Sequence, residues 1–366
     1  MLSPLLAALA TAEVGPTRVS AYGALRVDAI VDDSRTDSIQ KPFYVPSESG
    51  AAADDAGFSL HPRLSRLGLD ADSGALSGKL EVDFQNGPSS ESRQMLRIRH
   101  AWLAANAGPL RVLAGQTWDV VAPLFPTANG DTLMWNAGNL GDRRPQARAS
   151  FARGWLEAAI AATMTGAVEG RDFGPDTNGD GAPDPDGFPD GQDAAVPGGQ
   201  ARVGVRWRWI SGGVSGAMAW QEAALPKRER FRSQAVAIDL EVKPHWRVAL
   251  RGEAFAGRDL ADLRGGIGQG IAADGTMVRA AGGWAEIAVR PLRAWAVVPG
   301  ISIDDPKNAD LATGMRARNR TASLANVVEL DAHLKVGAEY VRWTTDHVDL
   351  PRGTDNRANL WVSYAP

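Results

Sequence analysis

The chain has no cysteine among its 366 residues. That excludes disulfides, thiolate nucleophiles, iron–sulfur clusters and cysteine-ligated zinc. No run of 18 or more apolar residues occurs, so no transmembrane helix is predicted. A basic excess is also missing: 39 Lys and Arg stand against 43 Asp and Glu, a formal charge of −4. This argues against a nucleic-acid partner. Histidine is sparse, and His61, His100, His245, His333 and His347 fall in no H-E-x-x-H or similar metal spacing. There is no G-x-S-x-G elbow. The glycine-rich run Gly265 to Gly270 lies between strand-like segments and opens no helix, so it reads as an external loop or bulged turn. No enzyme is expected.

What is present points to β-structure. Hydrophobic residues make up 44% and charged residues 22%, so the chain is not disordered by composition. Its 40 glycines and 12 tryptophans favour turns and strands over helix.

The dominant signal is alternation with a period of two. In 76–85, Leu76, Gly78, Leu80 and Val82 share one face, and Ser77, Lys79, Glu81 and Asp83 share the other. Asn86-Gly87-Pro88 then reads as a turn. In 96–102, Leu96, Ile98, His100 and Trp102 oppose Arg97, Arg99 and Ala101. In 202–209, Arg202, Gly204, Arg206 and Arg208 oppose Val203, Val205, Trp207 and Trp209. Similar segments recur around Val236, Val248 and Ile287.

Such segments fit a soluble sandwich with a solvated polar face. They also fit a transmembrane barrel with apolar residues toward lipid and charges toward a watery lumen. Three features favour the barrel. Residues 1–12, MLSPLLAALATA, resemble the latter part of a secretory signal peptide, leaving 13–366 as the barrel. Trp102, Trp118, Trp155, Trp220, Trp246 and Trp361 lie near segment ends, as interfacial girdles would. Short and long connections alternate. The expectation is an all-β, transmembrane antiparallel β-barrel of 14 to 18 strands, wide enough for an aqueous channel.

Two segments break the rhythm. Residues 119–145 carry Pro123, Pro126 and Pro145 and cannot be a strand. Their Leu133, Met134 and Trp135 need burial, which a loop folded into a pore or a packed surface loop would supply. Residues 171–193 form an Asp-rich external loop. Asp176, Asn178 and Asp180, followed by Gly181, match the first half of a D-x-[DN]-x-D-G calcium loop, and Asp184 and Asp186 follow. The twelfth position is Gly187 rather than a bidentate Glu. The five are candidate calcium ligands; otherwise they are a solvated acidic loop.

GALRVDAIVDD (23–33) and FSLHPRLSRLGLDAD (58–72) resemble the first two strands of the DcaP-like trimeric outer-membrane porins. LEVDFQNG, LRIRHAWL and LRVLAGQTWDVVAP follow in that family's order, and RRPQARAS (143–150) resembles its strand after the constriction loop. The resemblance covers residues 19–150 well and the remainder by pattern. It implies a barrel of about 16 strands, a homotrimer in the Gram-negative outer membrane, and no required cofactor. It assigns 119–145 to an inward-folded constriction loop. Passive diffusion of small hydrophilic, anionic or dicarboxylate solutes is the implied activity. Two departures stand out: the chain ends Trp361-Val362-Ser363-Tyr364-Ala365-Pro366 without a terminal Phe, and the Asp-rich loop is foreign to the pattern.

Arginine supplies the charge of the faces assigned to the lumen. The expected pore-lining set is Arg26, Arg97, Arg99, Arg143, Arg144 and Arg148 as cations, with Asp119 and Asp131 as loop carboxylates. Opposed rows of this kind set a transverse field that filters charge, unless they simply pair across strands. The alternative function is an exported soluble β-sandwich, adhesin-like and calcium-binding through its Asp-rich loop.

Overall fold

A computed structural model describes residues 8–49, 55–85, 95–180, 182–224, 228–272 and 274–366. Its strands are β1 (Ala8–Val14), β2 (Thr17–Asp32), β3 (Gly57–His61), β4 (Arg66–Asp72), β5 (Leu76–Asp83), β6 (Arg97–Ala107), β7 (Leu110–Trp118), β8 (Arg143–Arg153) and β9 (Leu156–Thr163). They continue with β10 (Gly198–Arg206), β11 (Ile210–Ala224), β12 (Arg228–His245), β13 (Val248–Arg258), β14 (Arg279–Leu292), β15 (Trp295–Pro306), β16 (Arg316–Glu329), β17 (Leu334–His347) and β18 (Leu350–Tyr364).

Every pairing is antiparallel between chain neighbours, and β18 closes on β2. β3 and β4 both pair with β2 and are two halves of one staff, interrupted at Pro62. With β1 set aside, sixteen staves close the barrel. β18 pairs with Leu25–Asp32, and β1 takes the remaining edge of β2 from Thr17 to Tyr22. Ala8–Ala12 of the signal-like segment therefore lie in β1, and residues 1–7 lie outside the described residues.

The alternation decides which way the wall faces. Leu103 is 75% exposed, Ile301 66% and Leu360 62%, all on the outer face. Val214, Ile238, Ile287 and Leu324 are exposed on the same face between the strand ends. Leaving side chains of this size in water forgoes about 1.5–3 kcal/mol each, so such a continuous belt requires lipid. One end carries tight turns at Gly15-Pro16, Gly108-Pro109 and Gly154-Trp155. The other carries the long connections.

Two expected features change. Glu81 pairs with His100 but Val82 pairs with Ile98, so Arg99 is the extra residue of a bulge. The faces exchange there, and His100 and Trp102 point inward instead of sharing the face of Ile98. Of the expected girdle tryptophans, Trp118 and Trp361 also point inward, where they carry arginines. The exposed tryptophans of the short-turn end are Trp155, Trp207, Trp209, Trp246 and Trp295.

Candidate functional site: a lumen narrowed by an inward loop

The connection between β7 and β8 crosses the barrel interior. Its amides are taken up in sequence by side chains of the far wall. Val120 N donates to Gln200 Oε1 (2.7 Å), Ala122 N to Ser215 Oγ (3.3 Å) and Leu124 N to Glu253 Oε1 (2.7 Å). Thr127 N donates to Glu286 Oε2 (2.7 Å), and Asn129 N to Glu339 Oε2 (2.8 Å). Inward-facing polar residues of β10, β11, β13, β14 and β17 thus supply acceptors that an irregular backbone needs. Small inward residues make room beneath. Val121 and Leu140 pack on Ala235, Ala237 and Phe255, while Met134 and Ala137 pack with Val298, Val341 and Trp343. The far wall is therefore a bed for the loop rather than a wetted surface.

The glycine-rich segment also folds inward, correcting its reading as an external loop. Leu260, Leu263 and Ile267 are buried, and the amides of Gly266 and Ile267 donate to Asp304.

The wall formed by β2 and β4–β6 stays charged. A continuous ladder runs Asp70–Lys79–Tyr22–Glu81–Arg99–Asp83–Arg97. Its contacts include Lys79 Nζ to Asp70 (2.8 Å), Tyr22 OH to Glu81 (3.0 Å), Arg99 Nη1 to Asp83 (2.8 Å) and Arg97 Nη2 to Asp83 (2.7 Å). Arg26 holds Asp28 at 2.6 Å and stacks on Trp361. Side chains of Arg97 and Arg26 keep 23% and 18% of their surface exposed, so they reach the aqueous space.

At the loop the ladder meets further cations. Arg143 lies over Trp118 at 4.3 Å and faces Trp135. Arg264, from the β13–β14 connection, lies over Trp135 (5.0 Å) and Phe43 (5.4 Å). Both face Asp142, Arg264 at 3.0 Å and Arg143 at 3.6 Å. Burial alone would raise the Asp142 carboxyl, but Arg264 and Arg143 hold it below the usual range. Burial and the guanidinium groups of Arg63, Arg97 and Arg264 push the Lys41 ammonium down. These cations therefore share one positive field. Aromatic faces hold two of them in place without consuming their N–H donors. Arg143 Nη1 is buried and has no hydrogen-bond partner among the described residues.

The remaining expected residues do structural work. Arg144 is 2% exposed and bridges Asp119 (2.7 Å) and Asp262 (2.6 Å). Asp119 also accepts from Gln200 Nε2 (2.8 Å). Burial raises its carboxyl, opposed by Arg144. Asp131 is buried against Arg357 (3.3 Å), with His61 3.8 Å away. Arg148 donates to Gln146 (2.9 Å) and to the Trp118 carbonyl. Arg97, Arg99 and Arg143 are thus brought together, while Arg144, Asp119 and Asp131 anchor the loop away from water. Sequence reasoning missed Arg264 and Lys41, which sit in irregular loops where no period assigns a face.

The Asp-rich loop does not gather its five candidates. Asp176 caps the amide of Gly179, Asn178 that of Asp180, and Asp180 that of Ala182. Asp184 accepts from Thr177 and Asn178, and Asp186 from Phe188. Among the described residues, no three His, Asp or Glu side chains are placed to hold a metal.

No protein-family model matches the chain. No curated protein matches it either. Solved structures do. The outer membrane channel DcaP of Acinetobacter baumannii superposes with a TM-score of 0.79 at 18% identity, over 98% of this chain and 99% of that one. An anion-selective porin from Comamonas acidovorans gives 0.63 at 11% identity, over 95% and 99%. Salmonella typhi OmpF gives 0.61 at 9% identity, over 97% and 99%. The chain has the sixteen-stranded barrel fold of these porins, the architecture that the resemblance in its first 150 residues implied.

Proposed function

We propose that this chain is a porin of the Gram-negative outer membrane, a passive channel that favours small anionic solutes such as carboxylates. The observation that carries this reading is the cluster of Arg97, Arg99, Arg143 and Arg264 beside an inward-folded loop, with Arg143 Nη1 lacking a hydrogen-bond partner among the described residues. A buried guanidinium beside the lumen adds positive potential there, and the partly exposed Arg97 offers N–H donors that suit a passing carboxylate. The apolar outer belt supports the membrane setting. The fold's neighbours include OmpT, an outer membrane protein of Vibrio cholerae, in a trimer form, and a homotrimer is part of the proposal. Calcium binding by the Asp-rich loop is left out of it, because among the described residues no three of its carboxylates are placed around one centre.

Planar-bilayer recording in a KCl gradient tests the reading. Stepwise channels whose reversal potential favours chloride are expected. Channels that favour potassium would keep the porin and overturn the anion preference. A folded barrel that never conducts would overturn both.

A further inference from the structure

The outer face carries charge at the end of the long loops, where the lumen does not explain it. Outward positions at the top of five strands are arginine: Arg232 on β12, Arg258 on β13, Arg279 on β14, Arg318 and Arg320 on β16, and Arg342 on β17. Registers place them at neighbouring heights. Arg258 is opposite Arg279, Arg320 is opposite Thr344, and Arg342 is opposite Ala322. Immediately toward the short turns, the same faces continue with Val236, Ile238, Ile301, Ile303, Leu324 and Tyr340, all exposed. The arginines therefore rim the apolar belt at its outer boundary.

Their neutralisation is incomplete. Arg279 pairs with Asp310, Arg318 with Asp305 (3.0 Å) and Arg320 with Asp346 (3.1 Å). Asp346 is shared with Arg352. Among the described residues, Arg232, Arg258 and Arg342 form no ion pair. Arg342 donates to Asn356 Oδ1 at 3.2 Å and lies in the field of Asp33, which the same asparagine holds. The Nε atoms of Arg258 and Arg320 are buried without a hydrogen-bond partner. Six guanidinium groups face four carboxylates, Asp310, Asp305, Asp346 and Asp33, one of them shared with Arg352, and leave a net positive strip at headgroup depth. The opposite boundary is marked by exposed tryptophans, so the two rims present different chemistry to the two leaflets.

We infer that this arginine rim binds the phosphorylated headgroup of an outer-leaflet glycolipid, with the acyl chains lying on the apolar strip beneath. Arginine forks suit phosphate oxygens, and the strip continues into a lipid-facing wall. The inference rests on the outer-membrane reading but not on the anion preference of the lumen.

The test measures thermal unfolding of the detergent-solubilised protein against four additives: bisphosphorylated lipid A, the same lipid dephosphorylated, phosphatidylglycerol and inorganic phosphate. The phosphorylated glycolipid should raise the melting temperature in a saturable manner, and the other three should not. The variant Arg258→Gln/Arg320→Gln/Arg342→Gln should bind it about tenfold more weakly, as lost charge-assisted contacts require. Equal stabilisation by the dephosphorylated lipid would overturn the inference. So would equal stabilisation by phosphatidylglycerol or free phosphate, or an undiminished response in the triple variant. Arg342→Gln alone, which breaks no ion pair, serves if the triple variant does not fold. Heat-modifiable migration verifies folding, and unchanged single-channel conductance verifies the lumen. Loss of conductance in the wild type would instead indict the porin reading.

Discussion

The guanidinium of Arg144 donates to the carboxylate of Asp262 at 2.6 Å, across 118 residues of chain. Arg144 closes the base of the constriction loop by its second bond, to Asp119 at 2.7 Å. Asp262 also accepts the amides of Gly166, Val168 and Glu169, which begin the connection bearing the Asp-rich segment. One ion pair therefore ties three loops together. Replacing Arg144 by Gln leaves two buried carboxylates uncompensated, a change that costs about 3–5 kcal/mol in comparable buried pairs. The expected outcome is a lower unfolding midpoint and noisier, larger single-channel conductance. A variant as stable and as quiet as wild type would refute the anchoring role.

Arg143 predicts the opposite pattern. It is held by Trp118 and Trp135 and carries no loop-anchoring bond to a carboxylate closer than 3.6 Å. Arg143→Gln should move the reversal potential in a KCl gradient toward zero while shifting stability by about 1 kcal/mol or less. The two neighbouring arginines should thereby separate, Arg143→Gln acting on selectivity and Arg144→Gln on loop position. Equal effects of both substitutions on selectivity would mean that the cluster acts only through loop placement.

Much of this was legible because a strand has a strict period. Alternation placed Lys79, Glu81, Asp83 and Arg97 on one face, and the ladder contains all four. It could not place His100, because the extra residue at Arg99 reverses the parity and a bulge leaves no mark in the composition. Tryptophans near strand ends read as girdles, yet Trp118 and Trp361 serve inside as platforms for Arg143 and Arg26. A residue's distance from a turn does not say which face it takes. Met134 and Trp135 needed burial and both are 2% exposed, but their apolar character fitted a packed surface loop as well as one folded into the pore. The loop's partners were not legible, since Asp262 and Arg264 come from a connection whose glycines suggested only a turn. The calcium-like spacing failed to gather for a related reason. Asp and Asn at alternate positions also cap their own loop's amides, and here they do so.

Gly138 marks where the constriction loop touches the wall. Its φ is +117°, and a Cβ there would meet the Gly283 carbonyl oxygen and, at 2.9 Å, the Ile303 backbone. Backbone cannot yield as a side-chain tip can, so Gly138→Ala should lift the loop from β14 and β15 at a cost of about 1–3 kcal/mol. Larger conductance with weaker chloride preference is the expected reading. Gly154→Ala is the control. Its φ of +61° carries similar backbone strain, but nothing lies within 4 Å, so stability should fall a little and conductance should not change.

The docking of the Asp-rich connection should depend on pH through Glu169. This carboxylate faces Arg171 at 3.1 Å and Gln221 at 3.5 Å, with Asp190, Asp259 and Asp262 around it. Burial, reinforced by those three carboxylates and opposed by Arg171, pushes its carboxyl up to about 8. Burial likewise pushes the Asp259 carboxyl up to about 6. A carboxyl raised on folding favours the docked state below its unfolded value of 4.5, and that contribution is lost as pH rises toward about 8. Hydrogen exchange in residues 164–180 should therefore accelerate as pH climbs from 5 to 8, beyond the intrinsic base-catalysed increase. Glu169→Gln, which keeps the shape and the neutral form, should remove most of that excess. Protection that strengthens with pH in the wild type would show that Arg171 outweighs the neighbouring carboxylates, and that the charged pair rather than the neutral acid holds the loop down.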